Sequence, residues 1–287
     1  MKLLTLERRN LKVLITGSSG FIGRNLAEQL NHDLLTPSHA ELELEDKQAV
    51  NKYFEKNKID VVVNCASRGD RSGTIKHDLK IWTNIADNKV NKIIHLGSGA
   101  EYDKTRPIVR IKEDDFGKRI PDDDYGYTKY LISKFIEEGS YNAVCLRLFG
   151  VFGKYEDPER RFISRSIRRV LNYDPILIYK DVWFDYLYID DLVRIVDWFI
   201  KNEPLYKFYN VGTGKPIGLT ELAEKIRYTN YNVHIPIKVL QKGMANEYSC
   251  DNSRLMAELG DFEFTPMDKA IKELYEWLRK ESKKHKK

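Results

Sequence analysis

The sequence predicts an α/β protein: a doubly wound parallel sheet with a smaller C-terminal α/β domain. Three observations carry this. Short apolar runs of strand length alternate with amphipathic runs of helix length through the first half of the chain. A glycine turn, Gly17-x-x-Gly20-x-x-Gly23, joins the first strand-like run directly to the first helix-like run. After Gly153 the regular alternation gives way to a charged, loop-like stretch.

In order, residues 12–16 read as a strand and 21–30 as a helix opening at the glycines. Residues 33–36 make a short second strand, and 46–57 a helix with Val50, Tyr53 and Phe54 on one side. A buried strand over 60–65, a helix over 76–86 and a strand over 92–97 follow, then a helix over 127–138 and a strand over 143–149. Such alternation implies parallel strands with crossover helices on both faces, and ligands beyond the carboxyl ends of the strands. Past the charged stretch 154–161 come a helix over 162–171, a strand over 176–179, and helices over 190–201, 221–228, 253–259 and 267–280.

With 287 residues, 42% of them hydrophobic, the chain can bury a sizeable core. Its 48 basic and 43 acidic residues are well mixed, so the net charge of +5 describes a solvated surface and not a nucleic-acid interface. The main basic run, 280–287, reads as a frayed tail. Cys65, Cys145 and Cys250 lie far apart without CxxC spacing, which argues against a disulfide framework and a zinc site. The six histidines show no paired ligand spacing, so no metal is expected. The first ten residues lack an apolar core, and no apolar run approaches the ~18 residues of a membrane span. The expectation is a cytoplasmic, soluble protein with no membrane partner.

The turn residues Gly17, Ser19, Gly20, Phe21, Ile22 and Gly23 are the candidate cradle for a dinucleotide. Gly17 permits the turn and Gly20 the approach of a pyrophosphate. Gly23 lets helix and strand pack closely, and the helix N-terminus faces the phosphates. The second strand ends at Thr36-Pro37-Ser38-His39 without an acid, and Glu41, Glu43 and Glu45 read as an exposed face. Lack of an acid at the ribose removes the usual repulsion against a 2′-phosphate, so NADP(H) is favoured over NAD(H), with Ser38 at the ribose. Arg24 and Arg68 are the cations available to that phosphate.

Tyr125 and Lys129 stand four residues apart, on one helix face. An ammonium beside a phenol favours the phenolate and brings it into acid/base range. The same lysine can bind a nicotinamide ribose hydroxyl. Tyr130 and Lys134 repeat the spacing, about 140° further round a helix of 3.6 residues per turn, so only one pair can face a site. Tyr125 is chosen because it opens the helix after a Pro121 loop. Ser98, just past the strand KIIHLG, is placed to hydrogen-bond a substrate oxygen.

The ordered set TGSSGFIG, LGSGAEY, YGYTK, LRLFGVFG and FDYLYIDDL resembles the extended short-chain dehydrogenase/reductase family, the NAD-dependent epimerase/dehydratase group, over nearly the whole chain. The resemblance implies a Rossmann domain over 1–153 and a sugar-nucleotide domain mainly over 154–287, with segments around 184–213 returning to the first. It implies a Ser98, Tyr125, Lys129 triad, and a homodimer through a four-helix bundle. Ile132, Phe135 and Ile136 could supply that face or pack on the sheet.

Within the family, residues 34–66 look most like the nucleotide-sugar 4-ketoreductases, such as GDP-fucose synthase and dTDP-4-dehydrorhamnose reductase. By that likeness Asp46 lies near the adenine, Asn64, Ala66 and Asn84 line the cofactor, and the segment from Phe149 to Gly153 approaches the nicotinamide. Ser98 is followed by Gly99 and Ala100, so the Asp-Glu pair of the 4,6-dehydratases is missing. The cysteine and histidine used for C3/C5 inversion are missing too, with Ala100 at the first position and no histidine between His95 and His234. Glu101 is expected to point elsewhere. Phe184 and Gly150 replace a diphosphate-binding arginine and a common asparagine. Diphosphate contacts then fall to Lys154, Arg161 or Arg254, each of which could equally be solvated, while Phe162 either stacks on the base or packs in the core. The expected substrate is a nucleotide sugar. The leading expectation is a C4 ketoreductase of a nucleotide-activated deoxy sugar or heptose. A 4-epimerase holding NAD+ tightly and a non-catalytic dinucleotide sensor are the alternatives.

Overall fold

A six-stranded, wholly parallel sheet forms the centre of the computed structural model, which describes residues 11–68, 73–229 and 235–284. Its first four strands in the chain are β1 (Lys12–Thr16), β2 (Asp33–Leu35), β3 (Val61–Asn64) and β4 (Lys92–Ser98). After an outlying strand, β5 (Ile108–Ile111), the sheet gains β6 (Ala143–Leu148). Past β7 (Gly150–Phe152), β8 (Ile176–Asp181), β9 (Trp183–Phe184) and β10 (Tyr186–Tyr188), the chain returns to it with β11 (Phe208–Val211). The spatial order is β11-β6-β4-β3-β1-β2, so the chain reverses direction between β1 and β3. A crevice opens at such a point, beyond the carboxyl ends of the strands.

Alternate strand residues face opposite sides, as the two-residue period requires. Val13, Ile15, Val63, Ile94 and Leu146 join the larger core, under α1 (Phe21–Gln29) and, later in the chain, α6 (Ile189–Lys201). Leu14, Val62, Ile93 and Cys145 join the smaller core. That core is covered by α2 (Lys47–Asn57), α3 (Thr74–Ala86) and α4 (Asp124–Glu138). Ile132 and Ile136 of α4 are buried in it, whereas Phe135 is exposed. Every residue of β4 is buried.

The rest of the chain builds on the larger core with α5 (Phe162–Leu171), α7 (Leu219–Arg227), α8 (Ser253–Leu259) and α9 (Met267–Lys284). Its strands are β12 (Ile217–Gly218), β13 (Ile237–Met244) and β14 (Tyr248–Cys250). They complete a mixed sheet β12-β9-β14-β5 and two parallel pairs, β10-β7 and β13-β8. The sequence reading contained none of β5, β7, β9, β10, β11, β12, β13 or β14. Most have two to four residues, too few to display a period, and are held by pairing with distant partners. Among the described residues no helix is long and apolar enough to cross a membrane. No group of three or more His, Cys, Asp or Glu that could hold a metal ion occurs among them. His234 and residues 285–287 of the basic run lie outside the described residues.

Candidate active site

The glycine turn is closed on itself. Gly17 has φ of 64°, in the left-handed region that favours glycine, and its carbonyl accepts from the Gly20 N–H at 3.0 Å. A side chain on Gly23 would run into the Gly17 carbonyl. The turn leans on the end of β3: Thr16 Oγ1 donates to Asn64 Oδ1 at 2.7 Å and accepts from the N–H groups of Cys65 and Ala66, both at 3.2 Å. Ser19 and Gly20 are exposed, while Phe21 and Ile22 pack sideways on the larger core. No side chain caps α1, so its first N–H groups are open to an anion. This cradle fits the diphosphate of a dinucleotide.

At the ribose end, Ser38 N–H and Oγ both donate to the Glu41 carboxylate at 2.8 Å. These two bonds hold the Glu41 carboxyl below its usual range. An acid does therefore stand beyond β2, turned onto its own loop. Asp46 is exposed and caps α2, accepting from the N–H groups of Gln48 at 2.9 Å and Ala49 at 3.2 Å. Asn84 Nδ2 donates to the Leu44 carbonyl at 2.8 Å. Both residues expected at the cofactor thus organise the loop before α2. Arg24 is engaged with Glu28 at 3.2 Å and lies 3.7 Å over the Tyr155 ring.

Ser98 ends β4 and caps the short 3-10 turn Gly99–Tyr102, its Oγ accepting from the Ala100 N–H at 3.1 Å. Asp123 caps α4 by accepting from the Gly126 N–H at 3.1 Å, so the helix starts three residues earlier than the sequence suggested and Tyr125 falls in its first turn. That turn presses on the serine loop: a Cβ on Gly126 would come within 2.8 Å of the Ala100 carbonyl. Lys129 is buried one turn on, and its Nζ donates to the Leu96 carbonyl of β4 at 2.9 Å. Tyr130 instead lies against Phe116, with ring centroids 4.9 Å apart. Lys134 pairs with Glu137 at 2.5 Å and Glu138 at 3.2 Å on the outside of the helix. The second pair therefore faces away from the end of β4.

The thiol and imidazole nearest this end are quiet. Burial pushes the Cys65 thiol up to about 12, although Lys129 opposes it. Burial, and then the Lys129 charge, push the His95 imidazole well down, so it is neutral. Its Nδ1 accepts from Asn64 Nδ2 at 3.2 Å.

Glu101 points elsewhere, as expected, but sequence reasoning did not find its partners, and it missed Tyr248 altogether. Glu101 is fully buried, and its carboxylate accepts from Ser98 N–H at 2.9 Å, Ser133 Oγ at 2.6 Å and Arg147 Nε at 2.8 Å. Tyr248 arrives from β14, its ring 4.9 Å from that of buried Phe149 and 4.8 Å from that of Phe184. Its hydroxyl stands over the serine turn, 2.5 Å from where a Cβ on Gly99 would be, and burial raises it well above the ordinary tyrosine range. Glu101 was visible as a nearby acid, but nothing local in the sequence brings Tyr248 to the serine turn.

The expected substrate contacts divide. Gly99 and Ala100 lie at the serine turn, beneath Phe149 and Tyr248. The Lys154 carbonyl accepts from Asn25 Nδ2 at 2.9 Å, which ties its loop to α1. Arg161 is exposed just before α5, and Phe162 packs against the larger core. Arg254 is engaged elsewhere. Its guanidinium bonds Asp114 at 2.7 Å and the Phe208 carbonyl at 3.3 Å, at the amino end of β11, and lies 4.5 Å over the Tyr206 ring.

A family model described as the NAD dependent epimerase/dehydratase family matches residues 13–212. The GDP-L-colitose synthase of Yersinia pseudotuberculosis is 23% identical over 248 residues, covering 74% of this chain and 79% of that protein. Among solved structures, the GDP-mannoheptose C4 reductase of Campylobacter jejuni with NADP bound superposes with a TM-score of 0.79 at 19% identity, over 94% of this chain and 98% of that one. The dTDP-glucose 4,6-dehydratase of Bacillus anthracis in complex with NAD gives a TM-score of 0.79 at 15% identity, over 95% and 98%. With its parallel sheet, glycine cradle and Ser98, Tyr125 and Lys129 at the sheet's carboxyl end, the chain belongs to the NAD-dependent epimerase/dehydratase family of extended short-chain dehydrogenase/reductases, NAD(P)-dependent oxidoreductases that act on nucleotide sugars.

Proposed function

We propose that the protein reduces the C4 ketone of a nucleotide-activated deoxy sugar or heptose. One observation carries this reading: Ser98 ends β4, Lys129 is bonded to the Leu96 carbonyl of the same strand with Tyr125 one turn before it, and the acid that follows the serine, Glu101, is turned onto Arg147 and Ser133. Ala100 brings no acid, thiol or imidazole to the site. Proton removal from a neighbouring ring carbon, which dehydration and C3/C5 inversion both need, then finds no base at the positions that follow the serine. The C4 reductase and the colitose synthase among the similar proteins support the same substrate class.

In this reading a reduced nicotinamide, bound with its diphosphate on the Gly17–Gly23 turn, supplies the hydride. Ser98 holds the substrate carbonyl oxygen by a hydrogen bond. Tyr125 gives its phenolic proton to the oxygen as C4 is reduced, and Lys129 stabilises the phenolate left behind. The Leu96 carbonyl fixes the lysine relative to the strand that carries Ser98. NADP(H) is proposed over NAD(H): Thr36 follows β2 where an acid would meet the ribose, and Glu41 is held by Ser38.

The test incubates purified protein with NADPH and a panel of 4-keto nucleotide sugars. Oxidation of NADPH with formation of a C4 alcohol supports the reading. Stoichiometric NAD+ retained through purification, with no net reduction, replaces it with 4-epimerisation.

A further inference from the structure

Two separate parts of the chain have to meet one substrate oxygen. Ser98 lies at the turn that ends β4, and Tyr125 and Lys129 lie on α4. Ser133 stands four residues beyond Lys129 and eight beyond Tyr125, on the same helix face. One buried carboxylate bridges the two parts. Glu101 Oε1 accepts from the Ser98 backbone N–H at 2.9 Å. Its Oε2 accepts from Ser133 Oγ at 2.6 Å and from Arg147 Nε at 2.8 Å. We propose that Glu101 is a positioning residue: through Ser133 it sets α4 against the serine turn, so that Ser98 and Tyr125 reach the same oxygen. This rests on the C4 reduction proposed above, which uses both residues.

The bridge is held at every end. Glu101 belongs to the short turn that Ser98 itself caps, where Ser98 Oγ accepts from the Ala100 N–H at 3.1 Å. The carboxylate therefore holds the loop that carries the hydroxyl. It lies where Gly97 has no side chain: a Cβ there would come within 2.5 Å of Glu101 Oε1 and 2.6 Å of Cys145 Sγ. Arg147 keeps the carboxylate turned inward, its guanidinium carbon 4.1 Å from the Phe116 ring centroid and 4.6 Å from that of Phe208. Glu101, Ser133 and Arg147 are each at most 1% exposed, so water does not compete for these bonds. α4 has a second anchor one turn nearer the tyrosine, the bond from Lys129 Nζ to the Leu96 carbonyl at 2.9 Å. Two anchors on one helix face, one on β4 and one on its turn, fix the rotation of the helix as well as its distance. A misplacement of about 1 Å at a reacting centre can cost on the order of a hundredfold in rate.

The test is a double-mutant cycle on turnover with Ser133→Ala, Ser98→Ala and the double variant. Ser133→Ala breaks only the tie to α4 and leaves Arg147 its counter-charge. It is expected to lower kcat roughly ten- to a hundredfold, with KM for NADPH unchanged, because the glycine cradle lies on β1 and α1. In the Ser98→Ala background the same change should cost little more, since no hydroxyl is left to align. Glu101→Gln, assayed where urea unfolding shows it folded, turns an amide N–H toward one of the three donors and should repeat the loss of kcat. Wild-type kcat in Ser133→Ala, or losses that multiply in full in the double variant, would overturn the proposal. So would NADPH affinity falling in parallel with kcat, which is the mark of a loosened fold. If the wild type reduces no 4-keto nucleotide sugar, the C4 reading falls by itself. The bridge is then read by NMR with 13C-labelled tyrosine, the Tyr125 signal being assigned with Tyr125→Phe. A shift of that signal in Ser133→Ala keeps the bridge, and an unmoved signal sinks it.

Discussion

The Glu101 carboxylate meets the Arg147 guanidinium at 2.8 Å with both side chains at most 1% exposed. The same carboxylate holds the backbone N–H of Ser98. Arg147 also donates to the Tyr102 hydroxyl at 2.9 Å, and that hydroxyl donates to Asn210 Oδ1 at 2.7 Å. Burial, the largest single influence, would lower the guanidinium, but the Glu101 charge, the acidic Tyr102 and Cys145 and the hydrogen bond to Glu101 together outweigh it and raise it. The ion pair thus connects β6, the serine turn and, through Asn210, β11.

Removing one partner leaves the other charged and desolvated. Glu101→Ala is expected to destabilise the fold by about 3–5 kcal/mol. Glu101→Gln combined with Arg147→Met should cost less than the single truncation. Urea unfolding of the three proteins measures both, and equal stability of Glu101→Ala and wild type would refute the structural role of the pair.

Tyr125→Phe should lower turnover by roughly 10²- to 10⁴-fold, the range for loss of a positioned general acid. NADPH binding should survive, since the glycine cradle is untouched. Tyr130→Phe keeps its ring contact with Phe116 and should leave turnover unchanged. Paired steady-state kinetics and cofactor titrations check the assignment, and a reversed pattern would exchange the two tyrosines.

Glu41→Gln removes the negative charge beyond β2 but retains an acceptor for Ser38. Affinity for NADPH relative to NADH should rise on the order of three- to tenfold, as loss of one like charge facing a 2′-phosphate implies. Fluorescence titration of both cofactors reads this ratio, and an unchanged ratio would place Glu41 away from the 2′-phosphate.

Burial raises the Glu156 carboxyl from 4.5 to about 7, while its bond from Ser164 opposes the rise. Its other oxygen is buried without a partner. Between these two values the native state holds a proton that the unfolded state has released. Stability should therefore fall as pH rises through about 4.5 to 7 and stay low above it. Glu156→Gln should unfold at higher temperature than wild type at pH 8, by up to about 3 kcal/mol, with little difference at pH 4.5. A pH-independent difference in melting temperature would contradict the shift.

Local order made much of this molecule legible. The strands at 12–16, 61–64, 92–98 and 143–148 are continuous apolar runs because both of their faces are covered. Gly17, Gly20 and Gly23 recur at every third position, and Tyr125 and Lys129 lie one helical turn apart, so their spacing alone states what they can build. The Asp123 cap was not recognised, and the start of α4 was therefore read late. Arg254 looked like a free cation, because its partners Asp114 and Phe208 come from other parts of the chain.

By itself the sequence determined the parallel sheet, the dinucleotide turn and the residue types for proton transfer, since each is written within a few neighbouring positions. Only the tertiary structure decided which groups the Glu101 carboxylate turns to, and that Tyr248 reaches the serine turn. Those outcomes depend on a hydroxyl, a carboxylate and a guanidinium finding one another across the fold. Burial makes each unpaired polar group costly, so the arrangement that satisfies them together prevails, and no local pattern records that choice.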